Sequence, residues 1–411
     1  MQERIIYHVD VNSAFLSWEA ARRVLEEVPG PDLREIPAVV GGSREQRHGI
    51  VLAKSIPAGR CRIRTGEPLV SAVQKCPLLT IVPPDYKLYT ECSHRLMELL
   101  RRYSPHVEQY SIDEAFCDMT GMERMHGRPL DFADELREMI FRELGFTVNI
   151  GVSSNKLLAK MASDFKKPNR THSLFPREIE SRMWPLPVGD LFFVGGRTEA
   201  RLRTLGILTI GDLACTDEEL LVRHFKSFGR TLHLYANGID DGSVAAPHPV
   251  NKGYGNSVTT PRDILTRDAA CMTLLSLTET VAARIRHDGA YVSVVAVSIV
   301  DCDFGHVSHQ RTLTSATDVT EVLYRQAVEL FDELWNGQPI RQIGVHTSKA
   351  VHEGAYQYNL FDMDRYDRLS ALGRAVDDIR GRFGEDAVQR ACFIGSPVRH
   401  MGGGTSPIRR G

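Results

Sequence analysis

No CxxC pair occurs among the eight cysteines, Cys61, Cys76, Cys92, Cys117, Cys215, Cys271, Cys302 and Cys392, so neither a zinc site nor a disulfide framework is signalled. They read as reduced, mostly buried thiols. No uninterrupted apolar stretch approaches the ~18 residues of a membrane span, and Met1 to Arg4 leads straight into a short apolar run without the pattern of a secretory leader, so a cytoplasmic protein is expected. Internal repeats and low-complexity tracts are also lacking, which excludes a collagenous or repeat-array chain. Nor is there an excess of positive charge: 50 Lys and Arg stand against 52 Asp and Glu, a net −2. Proteins that grip nucleic acid are often strongly basic, so any such grip must rest on how charge is distributed. Between Arg44 and Arg64 the cations Arg44, Arg47, Lys54, Arg60, Arg62 and Arg64 face only Glu45, a local positive field or a solvated surface face.

What is present is a chain of 411 residues, 42% of them apolar, which predicts two to four domains at roughly 100 to 200 residues each. The apolar run 5–9, ended by Asp10 and Asn12, predicts a buried strand that delivers a polar residue at its C-terminal end, with a helix from Ser13. Residues 34–76 are basic and punctuated by Gly and Pro; 86–103 carry Leu88, Cys92, Leu96 and Leu99 at helical spacing. Strands are predicted over 107–110 and 115–119 about a turn at Ser111, Ile112, Asp113 and Glu114, followed by a helix over 132–144 and a strand over 146–152. With the basic stretch set aside, the order strand, helix, strand, strand, helix, strand is that of a ferredoxin-like sheet. In that topology the end of strand one lies beside the start of strand three, so Asp10 meets Asp113 and Glu114 across about a hundred residues of sequence.

Residues 166–242 read as helical and polar, with a turn at Gly195 and Gly196 before a helix over 198–205. A second series of the same element order follows, with strands over 253–259, 291–300, 307–313 and 340–348 and helices over 269–287 and 319–335. A helix is predicted over 365–383, then a frayed Gly-rich tail over 401–411.

Carboxylates gathered at one sheet edge repel one another unless a multiply charged cation compensates them, and hard oxygen donors suit Mg²⁺. Two such ions roughly 3.5 to 4 Å apart can activate a hydroxyl and stabilise a leaving pyrophosphate in an in-line phosphoryl transfer. Each acid alone is an ordinary strand-end or turn residue; their convergence is what points to a metal site.

On His8, Val9 and Asp10 with Phe15, on Tyr110-Ser111-Ile112-Asp113-Glu114-Ala115-Phe116, and on Gly151-Val152-Ser153-Ser154-Asn155-Lys156 continuing to Ala159, Lys160, Lys167, Pro168 and Asn169, the sequence resembles the Y-family DNA polymerases of the DNA polymerase IV branch. The likeness covers about residues 3–395. It implies an α+β, multidomain right-hand polymerase: a ferredoxin-like palm (1–13 and 80–166), small fingers (14–79), a helical thumb with a helix-hairpin-helix turn (167–243), a second α/β sheet domain or little finger (247–349), and a C-terminal segment (350–411). It implies translesion synthesis on primer-template DNA with deoxynucleoside triphosphates by a monomer, and two Mg²⁺ held by Asp10, Asp113, Glu114 and the Val11 carbonyl. Phe15 matches the aromatic steric gate that excludes a ribose 2′ hydroxyl, and Lys167 the lysine that contacts the triphosphate.

The fingers depart from the family pattern. Where a tyrosine and an arginine three residues later hold the triphosphate, this chain has Ile56 and Gly59; Arg60, Arg62 or Lys54 is the candidate to restore the charge, and Arg60 is taken as substrate-binding. Phe193-Val194-Gly195-Gly196 resembles a helix-hairpin-helix turn, whose backbone N–H groups meet a DNA phosphate, or is an ordinary interhelical turn. Gln357-Tyr358-Asn359-Leu360-Phe361 resembles the peptide by which bacterial polymerases bind a sliding clamp, with Gln357 at the pocket mouth and Leu360 and Phe361 as apolar anchors. The alternatives are a non-catalytic Y-family-like DNA-binding scaffold in damage tolerance, which would lose the acids this chain keeps, and a nucleotide cyclase, which would need no DNA track.

Overall fold

In the computed structural model, residues 4–42, 49–244, 251–352 and 363–403 are described. The chain divides into two compact units, one holding 4–42 and 50–244, the other 251–352 and 363–403.

In the first unit, β1 (Ile6–Val11) is buried along its whole length, which its run of Ile, Tyr, Val and Val requires of a central strand. Ser13, at φ +49°, turns the chain into α1 (Ala14–Leu25), which buries Leu16 and Trp18 in the core behind the sheet. A separate three-stranded sheet follows, in the order β3-β2-β4: β2 (Ala38–Gly41), β3 (Val51–Lys54) and β4 (Thr80–Val82), with α2 (Ile56–Arg60) and α3 (Leu69–Lys75) between β3 and β4. No strand is expected from the sequence of residues 34–76; these strands are three or four residues long, too short to show a period of two. Then come α4 (Tyr86–Arg101), capped by the Asp85 carboxylate accepting from the Leu88 N–H, β5 (His106–Gln109), β6 (Glu114–Asp118), α5 (Glu123–His126) and α6 (Pro129–Leu144). The helix α6 stops at Gly145, which takes φ +76°. The set closes with β7 (Val148–Ser153), α7 (Lys156–Asp164) and β8 (Thr171–Ser173).

The main sheet has the order β5-β6-β1-β7-β8. Its first four members carry the expected ferredoxin-like order, with β1 and β6 central and antiparallel. The fifth strand, β8, lies in a stretch that reads as helical from sequence; its Thr-His-Ser has no apolar pattern to announce it. Helix α7 packs so closely on β7 that a Cβ at Gly151 would sit 1.9 Å from the Ala159 carbonyl oxygen, so position 151 requires glycine. The remaining helices, α8 (Gly196–Thr204), α9 (Ile210–Cys215), α10 (Glu218–Phe225) and α11 (Ser227–Ala236), close over their own core of Leu202, Ile210, Leu221 and Leu232. This helical part is tied to α7 where Asn155 donates to the Gly238 carbonyl at 2.8 Å.

The second unit repeats the element order, β9 (Gly255–Ile264), α12 (Arg267–His287), β10 (Tyr291–Asp301), β11 (His306–Thr317), α13 (Thr320–Leu334) and β12 (Ile340–Val351), but not the strand order. Its sheet runs β11-β10-β12-β9, all antiparallel, so the second and fourth strands are central where the first sheet centres its first and third. Helices α12 and α13 share a core with the sheet, whereas residues 306–310 of the edge strand β11 are exposed. Helix α14 (Met363–Phe383) and the chain to Gly403 fold back on α12: Arg380 and Arg390 reach the buried Glu279 at 2.9 and 2.6 Å, and Asn256 donates to the Gly402 carbonyl at 2.7 Å. The tail expected to fray from Met401 is thus held as far as Gly402. No helix among the described residues is long and apolar enough to cross a membrane.

Candidate active site

The register of the two central strands sets Asp10 directly opposite Glu114, and the Val11 N–H donates to the Asp113 carbonyl at 3.0 Å, so the three acids arrive at one sheet end. Asp10, Asp113 and Glu114 line one cavity of about 460 Å³ together with Val11, Phe15, Lys54, Ile56 and Lys167. The meeting expected from strand order is thus present in the fold.

Each carboxylate has a donor of its own. The Lys167 ammonium lies 2.6 Å from Asp10 and 2.8 Å from Asp164; the Lys160 ammonium lies 2.8 Å from Glu114; the Ser111 hydroxyl donates to Asp113 at 2.6 Å. Burial pushes the Asp10 and Asp113 carboxyls above the usual range, with Lys167 and Ser111 respectively opposing it. Burial also acts on Glu114, but the Lys160 ammonium, 2.8 Å away, outweighs it and holds that carboxyl below the usual range. His8 is fully buried and its pKa is lowered by desolvation. Its Nδ1 meets the Ser163 hydroxyl at 2.8 Å, while Nε2 stands 3.8 Å from Glu114, beyond hydrogen-bond reach and without another partner.

Among the described residues no group of three His, Cys, Asp or Glu side chains is gathered as a metal cage. The reason is side-chain direction: two of the acids turn to lysines and the third to a serine. The backbone positions are adjacent all the same, and the donors are oxygen throughout, which is the set a hard divalent cation takes.

Phe15 borders the cavity, its ring stacked on Tyr89 at 4.4 Å and 6° from parallel. Ile56 lines the cavity, and Lys54, the fingers cation that also lines it, donates to the Ile63 carbonyl at 2.6 Å. Arg60 is exposed and is not among the lining residues, so the cation chosen from the charge run is not the one brought to the acids. Gly195 and Gly196 open α8; both are exposed, and a Cβ added at either would meet nothing within 4 Å. Gln357, Leu360 and Phe361 lie outside the described residues. Sequence reasoning misses the fully buried Asn149, directly across from Asp10 on β7; a polar residue between Val148 and Ile150 is its signal.

These features define a class. A solved Y-family DNA polymerase chimera shares the fold at TM-score 0.71, covering 85% of this chain and all of that one at 22% identity. Sequence narrows the class: the impB/mucB/samB family matches residues 9–164, its C-terminal domain 251–360, and the IMS family HHH motif 176–207. The chain belongs to the impB/mucB/samB family of Y-family DNA polymerases. It is 40% identical to the DNA polymerase IV of Clostridium acetobutylicum over 95% of this chain and 98% of that protein, and 38% identical to that of Moorella thermoacetica over 94% and 95%. The DNA polymerase IV 2 of Bacillus subtilis is 35% identical over 96% of this chain and 95% of its own length.

Proposed function

We propose that the cavity at the end of β1 and β6 is where this translesion DNA polymerase adds a deoxynucleotide to a primer 3′ end. The observation that carries the reading is the meeting of Asp10, Asp113 and Glu114 in a cavity that also holds Phe15 and Lys167. Asp10 and Asp113, with the Val11 carbonyl, would hold two Mg²⁺ ions, and Glu114 would serve the one nearer the primer. When bound, such ions supply charge compensation for the three acids and for the phosphates in transfer. The protein's part is to keep the acids ionised and in place: Lys160 does so for Glu114, and the Ser111 hydroxyl for Asp113. Lys167 binds the triphosphate, exchanging its bond to Asp10 for one to phosphate. Phe15 excludes the ribose 2′ hydroxyl by its ring. The backbone amides of the exposed Gly195 and Gly196 take a duplex phosphate, and the exposed His306, Ser308, His309 and Gln310 of β11 offer a second, local set of contacts. The segment Gln357 to Phe361 docks on a sliding clamp, and the polymerase works as a monomer.

Primer extension tests the site. Asp113→Ala and Glu114→Ala are expected to lose at least about a hundredfold in turnover, about 2.7 kcal/mol of barrier, while primer-template affinity stays near that of the parent. Turnover above about a tenth of the parent's in either variant refutes the assignment.

A further inference from the structure

Asn149 spends its whole hydrogen-bonding capacity on one short segment and its neighbours. It is fully buried in β7, opposite Asp10. Its Nδ2 donates to the Ser163 and Lys166 carbonyls, both at 2.9 Å, and its Oδ1 accepts from the Arg170 N–H at 3.2 Å and from Asn12 Nδ2 at 3.1 Å. Asn12, itself buried, accepts the Asn169 N–H on its Oδ1 at 2.9 Å. The two amides therefore hold the chain on both sides of Lys167 and Pro168: the Lys166 carbonyl before, the Asn169 and Arg170 amides after. Between these anchors the Lys167 ammonium reaches Asp10.

Two donors and two acceptors in one side chain is a requirement that only a carboxamide meets at this size. A carboxylate would keep the acceptors and face two carbonyls with no proton to give; an apolar side chain would take a hydrogen-bond partner from four polar groups at once. A purely structural account would have Asn149 stitch β8 to β7, but the strands already do this through their own backbone, with the Ile150 N–H donating to the Arg170 carbonyl at 2.9 Å. The side-chain bonds fall instead on the segment that carries the lysine.

We infer that Asn149, seconded by Asn12, is the positioning residue for Lys167 and sets where its ammonium meets the incoming triphosphate. The inference rests on the reading of Lys167 as the triphosphate-binding cation. Asn149 touches neither nucleotide nor primer; it acts through the backbone of 166–170.

The test is single-nucleotide insertion by the full chain on a primed template, with nucleotide KM, kcat and DNA Kd measured separately for Asn149→Leu, Asn149→Asp and Asn12→Ala, each alone and with Lys167→Ala. The Asn149 variants are expected to raise the nucleotide KM about tenfold, the size of one lost charge-assisted phosphate contact, with kcat within about threefold and DNA Kd unchanged. Asn12→Ala, which removes one bond to the segment, gives a smaller rise of the same kind and carries the test if Asn149→Leu does not fold. In the Lys167→Ala background none of the three raises KM further. An unchanged KM in the Asn149 variants, where Lys167→Ala alone does raise it, overturns the inference and leaves the role of Lys167 standing. An equal rise with and without Lys167 also overturns it. If Lys167→Ala itself leaves the nucleotide KM unchanged, the reading of Lys167 fails first and the inference falls with it.

Discussion

The gate role proposed for Phe15 depends on what lies under its ring. A ring held flat on Tyr89, with Tyr86 edge-on at 6.2 Å and Trp18 at 5.9 Å, has little room to rotate away from a sugar placed against it. Phe15→Ala is expected to raise the ratio of ribonucleotide to deoxynucleotide incorporation by at least about tenfold, since one clash relieved is worth more than about 1.4 kcal/mol; an unchanged ratio in competitive insertion assays would make Phe15 a packing residue. The residues of this site are unequally legible in the sequence. Asp10, Asp113 and Glu114 can be found because a strand order converts distant sequence positions into neighbours. Asn149 cannot, because nothing in one polar residue within an apolar strand says where its four hydrogen bonds go. Arg60 is hard to place for the opposite reason: a run of cations locates a charged patch but not the direction of any one side chain, and Arg60 is exposed and outside the cavity lining.

At the scale of elements, the short helix α2 carries the departure from the family pattern. Ile56 opens it and Gly59 lies near its end, where an added Cβ would meet only the Lys54 side chain, at 3.8 and 3.9 Å, ordinary contact. An arginine is therefore sterically allowed there, and Gly59→Arg is expected to lower the nucleotide KM about tenfold by one charge-assisted phosphate contact; a KM that stays or rises in a folded variant would mean that Lys54 already fills the role. Helix α14 supplies a second prediction. Burial raises Glu279, but hydrogen bonds and charge from Arg390 and Arg380 win and hold its carboxyl below the usual range. Its contribution to stability is therefore complete above the ordinary glutamate range, where both folded and unfolded chains carry the charge, and is lost as pH falls through the folded value. Glu279→Gln is expected to lower stability at neutral pH by about 3 kcal/mol, since it leaves Arg380 buried without its counter-charge, and to flatten the acid side of a Tm-against-pH curve for the full chain. The long helices and, β8 apart, the strands of both main sheets are readable from their sequence pattern. The sheet β3-β2-β4 and strand β8 are not, because three or four residues pair by virtue of what lies beside them and carry no pattern of their own. The second unit adds a sharper case: identical element order with a different strand order, a choice made by pairing partners and invisible in the succession of elements.

For the whole molecule the governing fact is a net charge of −2 on a protein whose substrate is a polyanion. A grip built from local contacts is weak and salt-sensitive, so the enzyme is expected to leave its template often, and a tether to a ring-shaped clamp would restore residence by raising local concentration. Leu360→Ala with Phe361→Ala is expected to abolish stimulation by the clamp on long primed templates while synthesis on short oligonucleotides persists; stimulation equal to the parent's, or collapse on short templates, would refute the tether. The backward fold of residues 363–403 onto α12 has a consequence in time. Ser276 and Thr280, in the first helix of the second unit, bond the Arg399 and Gly402 carbonyls, and Asn256 on its first strand bonds Gly402 as well. At about 5 to 20 residues per second, the ribosome needs roughly 3 to 10 s to add that stretch after β12 has been made. Early in that interval the second sheet has no latch, and Glu279 waits first for Arg380 and then for Arg390.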